Sequence, residues 1–486
     1  NLKRTRRSIS EFHAKLILMN EIIINEWVGY FRNKLFVFLG VFFIFFLSLV
    51  TFLGIIQNDK IQNEQKLAHE HIRAQWDGME ASNPHSAAHY GTYAFKPISV
   101  LNSIDEGISS VTGNVLRLEG HRQNDIVFSE ASQSLIISKF GKLNPSLIFQ
   151  FIIPLLLIFF SFNTYISERQ TGRLKLMLVQ GASLRKIIFS KVLSIWFIGL
   201  LLLLLTLFIQ IIFNSDNINS DVIIRLSVLF LSYAFYYFIL INITILLSVI
   251  FKSSTAALSL TVLTWVFWTI FFPTIMGNTT EKLSPLPTRI EFKEAMSEDR
   301  SKGIDGHNPR GERRDALEKA TLEKYNVDKL EDLPINFSGI VMQEDEEYGN
   351  MVWDKHFGNL YIQLEKQKNN YQLSGFINPF AALQNLSMGS SGSDMYHHLD
   401  FLNKSESYRR VFIKTLNDEY AFGGSKTGER GWKASNEFFR SVKDFNYELP
   451  TFLSFYTKYL IDIIILLFWV IFTSILVYFF TRKITV

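Results

Sequence analysis

The sequence predicts an all-α polytopic membrane protein with six transmembrane helices and two mainly helical extracytoplasmic domains. Three observations lead to this prediction: six long apolar segments, two long polar segments between them, and a strong charge difference between alternate connecting segments. A soluble protein of 486 residues would not carry six apolar segments of this length.

Each apolar segment is long enough to cross a bilayer as a helix. The first, Leu35–Ile56, holds 22 residues without a charge, and a helix of that length reaches about 33 Å, slightly more than the hydrocarbon core. No small-residue cleavage site follows it, so we expect a retained signal-anchor. The other five segments are Pro145–Tyr165, Val192–Phe213, Leu226–Phe251, Leu258–Met276 and Tyr459–Phe480.

The charge of the connecting segments predicts the orientation. Segments on the same side as the N-terminus hold 16 basic and 4 acidic residues, whereas segments on the other side hold 32 basic and 40 acidic residues. Short cytoplasmic loops are rich in Lys and Arg, so both termini are predicted to be cytoplasmic. The basic residues are thereby explained by the lipid membrane, and no nucleic-acid partner is expected.

These features divide the chain into six parts. They are a cytoplasmic segment (1–34), the first span (35–56), a first extracytoplasmic domain (57–144), spans 2–5 with a cytoplasmic loop at 166–191 (145–276), a second extracytoplasmic domain (277–451), and the last span with its tail (452–486). In the first part, the periodicity of Leu16–Phe31 fits either an amphipathic helix in the membrane interface or a helical extension of the first span.

The polar parts are predicted to be helical where breakers are absent. Gln57–Asp77 contains neither Gly nor Pro and should continue the first span as a stalk, whereas Pro84–Gly120 should be irregular. Asn144 and Pro145 should begin the second span. The helices predicted in the second domain are Glu312–Tyr325, Glu344–Tyr371, Pro379–Met388 (capped by Asn378 and ended by Gly389) and Ser405–Phe422.

Two groups of histidines are candidate metal sites. His85 and His89 are four residues apart, with Glu119 and His121 later in the same domain, and on a helix both imidazoles would face one ion. Pro84 and Gly91 make a regular helix there doubtful, so no metal is predicted. Neighbouring side chains rarely converge on one ion, so none is predicted at His397–His398 with Asp394 and Asp400 either.

The other polar residues are predicted to be solvated, to form ion pairs or to form hydrogen bonds, without a catalytic or metal-binding role. Glu344, Asp345, Glu346 and Glu347 should form a solvated helical face, and Asp462 should pair with Lys458 near the end of the last span. The amides Gln150, Asn163 and Asn242 should bond between helices. No catalytic arrangement is recognised, so the chain is not expected to be an enzyme. The chain has no cysteine, and GGSKTG (Gly423–Gly428) lacks the spacing of a phosphate-binding loop.

The loop ISERQTGRLKLMLVQGASLRKIIFSKVL resembles the cytoplasmic loop of ABC-2 type permeases. Its E-R-x-x-G-x-L-x-x-L pattern has Met177 at the second Leu, and a G-x-S stretch with a basic residue follows. Leu174, Met177 and Leu178 fall on one helical face, Gly181 can form a left-handed turn, and Ser183 can cap the next helix. The resemblance implies a coupling helix that docks into an ATPase through Glu168, Arg169, Gly172, Leu174, Met177, Leu178, Gly181 and Arg185.

The polar parts resemble a subgroup of the same permeases that carries two large extracytoplasmic domains of uncharacterised function. The resemblance rests on NPHSAAHYGTYAFKPISVLNSIDEG (Asn83–Gly107), LPINFSGIVMQEDEEYG (Leu333–Gly349) and NPFAALQNLSM (Asn378–Met388). It implies an exporter subunit in a bacterial inner membrane that has no cofactor of its own. Two copies of an ABC ATP-binding subunit would bind ATP and Mg, and a second permease protomer, identical or a sister, would complete the assembly.

Two alternatives remain open at this point. In the first, ATP energy is relayed through the extracytoplasmic domains to an envelope protein or to metalloenzyme maturation, with a periplasmic partner and without transport. In the second, the chain is a membrane-anchored metal-binding or enzymatic domain that needs no ATPase.

Overall fold

The computed structural model describes residues 19–124, 143–429 and 431–483. Within these residues, six helices are long and apolar enough to cross a membrane, and each contains one of the predicted apolar segments to within one residue at its end, so the six-span, all-α prediction is confirmed. We number them spans 1 to 6: Lys34–Asp77, Pro145–Gln170, Leu184–Phe213, Ser220–Ile250, Ser254–Leu283 and Phe452–Arg482.

Span 4 is the centre of the bundle, because it packs against spans 2, 3, 5 and 6. Its side chains are mostly buried, whereas those of spans 1 and 6 mostly face outward. Amides bond between helices, as predicted: the Gln150 side chain donates to the Tyr233 hydroxyl (3.2 Å) and Asn242 donates to Thr473 (3.3 Å). For Asn163, no partner of the side-chain oxygen is found within the described residues.

A separate helix, α1, covers residues 19–32 and precedes span 1. The helix breaks at Asn33, whose side chain accepts a hydrogen bond from the Leu35 amide and caps span 1. The break favours a distinct N-terminal helix over an extension of span 1. Leu16, at the start of the predicted periodic segment, lies outside the described residues.

Span 1 is a single helix of 44 residues that ends at Asp77, so the predicted stalk is confirmed. Gly78 ends the helix by donating its amide to the Ala74 carbonyl. The helix therefore continues without a break from the apolar segment into the polar part of the molecule.

The first polar region (residues 78–144) is more regular than predicted over its described residues 78–124. Asn83 caps a short helix, α2 (Pro84–Tyr90), with Pro84 in its first turn, where a missing amide costs nothing. Two antiparallel strands, β1 (Thr92–Phe95) and β2 (Val115–Leu118), pair with Thr92 opposite Leu118. The prediction of an irregular segment was wrong here, because the glycines end helices without preventing them: Gly91 (φ 67°) ends α2, and Gly113 (φ 73°) ends the helical turn Ser109–Thr112 before β2.

Between spans 2 and 3 lies the short helix α3 (Arg173–Val179). The second polar region (residues 284–451) is helical, as predicted. Its helices are α4 (Arg289–Lys302), α5 (Arg310–Tyr325), α6 (Phe337–Leu373), α7 (Pro379–Ser391), α8 (Met395–Phe422) and α9 (Asn436–Ser441).

Gly389 does not end α7 as predicted. The helix continues to Ser391 and ends at Gly392, which has a φ of 70°. Gly389 lies inside the helix because the Tyr459 ring of span 6 packs against it, and a Cβ at this position would come within 2.4 Å of that ring. Close approach of two helices, rather than helix termination, explains this glycine.

The two polar regions pack into one body through shared hydrophobic clusters. In one cluster, Trp76, at the end of span 1, and Ala87 of α2 pack with Phe412 and Phe439 of the second region. In another, the strand residues Ala94, Leu116 and Leu118 pack with Phe401, Phe445 and Tyr447. Ser82 also pairs with Ala434 through backbone hydrogen bonds.

Candidate functional site

The segment around α3 has well-defined ends. Gly172 (φ 75°) precedes the helix, and Gly181 (φ 91°) follows it in the left-handed turn that was predicted. The amides of Gly181 and Ala182 donate to the carbonyls of Leu178 and Met177, which satisfies the end of the helix. Ser183 caps span 3 by accepting from the Lys186 amide, also as predicted.

The apolar face predicted to dock packs in part against the spans. Leu174, Met177 and Leu178 share a face, but Leu174 is only 1% exposed and the other two pack against the same core of the spans. Leu174 is therefore buried against the spans while Met177 and Leu178 remain partly exposed, and docking of this face onto an ATPase stays a prediction. The exposed apolar side chains of α3 are Leu176 (64%) and Val179 (87%).

An ionic network holds α3 against the spans. Lys191 of span 3 is 2% exposed, and its Nζ donates to Glu168 (3.3 Å) and to Glu26 of α1. Arg173 approaches the other carboxylate oxygen of Glu168 at 3.4 Å. Glu168 was selected from the sequence, but its link to Glu26 was missed, because nothing in the sequence brings two carboxylates 142 positions apart to one lysine.

The two remaining basic residues of the predicted set differ in their surroundings. Arg185 is exposed, and its guanidinium lies 4.6 Å from the centre of the Tyr478 ring in span 6. This cation–π contact adds span 6 to the elements that meet near α3. Arg169 is half-buried one turn before α3.

A buried polar network joins the second polar region to span 6. Asp394, at the start of α8, accepts from Lys368 Nζ (2.9 Å), His397 Nδ1 (2.7 Å) and the Tyr459 hydroxyl (3.0 Å). Burial alone would raise the pKa of Asp394, but the charge of Lys368 and the His397 hydrogen bond hold it well below its usual range. Asp400 lies elsewhere, bonded to Tyr447 and paired with Lys404.

Asp462 does not pair with Lys458 as predicted. Its carboxylate is fully buried and accepts from the side chains of Gln372 (2.5 Å) and Asn385 (3.3 Å). Lys458 instead approaches the exposed Glu365 at 3.6 Å. The difference arises because α6 and α7 cover the start of span 6. The Asp462 carboxylate therefore accepts hydrogen bonds from these helices and is not directed toward the membrane surface.

Three histidines converge at the boundary between the polar regions. His85 and His89 do lie on a helix, α2, so the reason for rejecting them as a pair was wrong. Their Nε2 atoms are 3.2 Å apart, and the ring of His121 lies 5.3 and 5.0 Å from theirs, measured between centroids. One ligand nitrogen from each can be chosen so that all three lie within 4.8 Å of one another.

Glu346 is not part of a solvated face. It is 2% exposed, and its carboxylate pairs with His121 Nδ1 (2.8 Å) and with Arg409 (3.1 Å). Burial raises its pKa, but the His121 hydrogen bond and the charge of Arg409 prevail and lower it. Glu344 and Glu347 are exposed, as predicted, and Asp345 is half-buried. Because four acidic residues are consecutive in the sequence, the sequence alone does not indicate which of them is buried.

Two family models match successive regions of this chain. Residues 85–290 match the model of the ABC-2 family transporter protein, and residues 289–448 match a domain of unknown function, DUF3526. No curated protein and no solved structure matches the chain. The two matched regions adjoin and together cover residues 85–448. The chain is thus a multi-pass membrane protein that is similar to ABC-2 family transporters over residues 85–290 and matches a DUF3526 domain after them; ABC-2 permeases in general work with an ABC ATP-binding partner.

Proposed function

We propose that this chain is the permease subunit of an ATP-driven exporter and that α3 receives the motion of a separate ATPase. The main support is that α3 has one apolar side chain buried against the spans and two others exposed. Leu174 is buried in the core of the spans, whereas the side chains of Leu176 and Val179 are largely exposed in the part of the chain that the structure describes. Exposed apolar side chains beside charged ones are typical of an interface.

The charge around this exposed pair suits a partner with an acidic rim. Arg173, Lys175 and Arg185 are all exposed on the same segment, and Glu168, the nearest acid in the sequence, is buried against Lys191. Complementary charges at the rim would mainly guide association, while the apolar pair would provide most of the affinity.

The buried side chain of Leu174 and the contact of Arg173 with Glu168 connect α3 to the helices it would move, and the ionic network joins those helices to one another. Glu168 belongs to span 2, Lys191 to span 3 and Glu26 to α1, so a push on α3 would reach all three elements together. Separating Lys191 from its carboxylates would leave buried charges unpaired, at a cost of several kcal/mol. The segment should therefore move with the spans as a unit.

In the proposed assembly, the termini and α3 are cytoplasmic and the two polar regions are extracytoplasmic. The charge difference between the two sets of connecting segments supports this orientation. Two copies of the ATPase would bind two permease protomers, each through its own α3. The ATPase subunits would hold ATP and Mg.

Docking is tested by the double substitution Leu176→Asp/Val179→Asp. A carboxylate buried in a packed interface costs several kcal/mol, so we expect the affinity for the ATPase to fall by about a hundredfold or more. The variant should reach the membrane at normal levels, because both side chains are exposed. Co-purification of the ATPase and substrate-stimulated ATP hydrolysis are the measurements.

Val411→Asp is the matched control, because Val411 is 65% exposed on α8 in the DUF3526 region. It should retain its ATPase fully. Leu174→Asp should instead lower the amount of folded protein, since it places a charge in the core. Full ATPase retention by the Leu176→Asp/Val179→Asp variant would show that α3 is not the coupling element.

A further inference from the structure

The histidine cluster has the spacing of an ion-binding site. Nitrogen ligands lie about 2.0–2.1 Å from Zn²⁺, so two ligands of a tetrahedral site are about 3.3 Å apart. The Nε2 atoms of His85 and His89 are 3.2 Å apart. The three ring centroids form a nearly equilateral triangle with sides of 4.6, 5.3 and 5.0 Å.

The third histidine is oriented as metal ligands usually are. His121 Nδ1 contacts Glu346 Oε1 at 2.8 Å, so its Nε2 is left for the centre of the cluster. A carboxylate on the far nitrogen of a ligating imidazole fixes its tautomer and increases its basicity. The backbone of His121 is also held in place: it has a φ of 67°, and its carbonyl accepts from Arg300 at 2.8 Å.

Glu346 is in turn held rigidly. Its second oxygen accepts from Arg409, a fully buried guanidinium that also binds Glu406 (2.7 and 2.8 Å) and Asn350 (2.7 Å). Arg117 of β2 donates to the carbonyl of His89 on α2 at 3.0 Å. The surrounding arginines are therefore paired with carboxylates or carbonyls, and the imidazoles remain available.

The ligand set also indicates which ions would bind. Three imidazoles without a thiolate suit borderline divalent ions such as Zn²⁺ or Cu²⁺, whereas Mg²⁺ and Ca²⁺ prefer oxygen ligands.

We propose that His85, His89 and His121 form a site for one borderline divalent transition-metal ion, with Zn²⁺ as the reference ion and a fourth position open to water or a ligand. This inference reverses the sequence-based expectation that the chain binds no metal, and it is independent of the ATPase proposal. The three ligands lie in the region matched by the ABC-2 model, while the carboxylate that orients His121 comes from the DUF3526 domain. The ion would therefore strengthen the contact between the two polar regions.

The test is zinc titration of the purified full-length chain in detergent, by calorimetry with a competing chelator. We expect one Zn²⁺ per chain, and the variant His85→Ala/His89→Ala should bind at least about a hundredfold more weakly because it lacks two of three ligands. The matched control is His71→Ala/His307→Ala, which removes two exposed histidines outside the cluster and should bind as the wild type does.

Two further measurements separate a built site from loose surface binding. Co²⁺ in place of zinc should give the strong visible absorption of tetrahedral coordination. Zinc should also raise the thermal midpoint of the wild type but not of His85→Ala/His89→Ala, since a ligand that binds only the folded state stabilises it. Equal zinc affinity in the wild type and this double variant, or no binding to either, would overturn the proposal.

Discussion

The most informative single substitution is Asp394→Asn, because this carboxylate organises the buried network between α6, α8 and span 6. It is 0% exposed and accepts three side-chain hydrogen bonds, from Lys368, His397 and Tyr459. Asparagine keeps the size and the cap of α8 but removes the negative charge. The Lys368 ammonium, whose side chain is only 9% exposed, would then lack its charge partner within this network.

The expected loss of stability is about 3–5 kcal/mol, the usual cost of removing one partner of a buried ion pair. The direction of the pKa shift agrees: the pKa of Asp394 is well below its usual range despite burial, so the folded state favours the ionised carboxylate. The contribution of the charge is therefore present above the ordinary carboxyl pKa of about 4 and is lost as pH falls below it.

The assay is thermal unfolding of the purified protein in detergent at neutral pH. Glu365→Gln is the control, since Glu365 lies on the same helix as Lys368 but forms an exposed pair with Lys458, worth no more than about 1 kcal/mol. Asp394→Asn should lower the thermal midpoint by several degrees, and Glu365→Gln should hardly change it.

The double variant Asp394→Asn/Lys368→Met identifies the cause. If an unpaired ammonium is responsible for the loss, removing it as well should recover part of the stability. Two results would refute the reasoning: an Asp394→Asn variant as stable as Glu365→Gln, or a double variant that loses the sum of both single effects.

Two predictions concern other parts of the chain. Burial, and then the charge of Lys96, lowers the pKa of His398 to about 4, so the unfolded state binds the extra proton first and stability should fall by about 3 kcal/mol between pH 6.5 and 4. Thermal midpoints should follow this trend and be flatter in His398→Gln; identical profiles would contradict it. Single cysteines in this cysteine-free chain test the orientation. An impermeant reagent on intact cells should label Ser86→Cys and Ser407→Cys but not Ser183→Cys, and labelling at Ser183→Cys would contradict the proposed topology.

Most of the fold could be predicted from local features of the sequence. Six apolar segments of sufficient length fixed the spans, and the lack of Gly and Pro in Gln57–Asp77 was enough to predict the stalk. The ends of α3 were also predictable, because a left-handed turn at Gly181 and a cap at Ser183 depend only on neighbouring residues.

The burial of individual side chains could not be predicted in the same way, because it depends on residues that are far away in the sequence. Periodicity placed Leu174, Met177 and Leu178 on one face, but it could not say whether that face meets a partner protein or the chain's own core. Glu346 resembled its exposed neighbours until Arg409 and His121, far away in the sequence, were brought to it by folding. The direction of the His121 side chain depends on the positive φ of its own backbone, which the sequence does not indicate.

The uninterrupted helix of span 1 makes it a lever. Forty-four residues at 1.5 Å each give about 66 Å, of which a bilayer core covers about 30 Å, so about 36 Å projects beyond it. Its far end is clamped: the Trp76 indole donates to the Phe439 carbonyl at 2.8 Å, and Arg73 donates to the Val442 carbonyl at 2.9 Å. A tilt of about 5° within the bilayer would swing that end by about 3 Å. A small tilt of span 1 within the bilayer would thus cause a larger displacement of the segment around Phe439 and Val442, near the end of the DUF3526 domain.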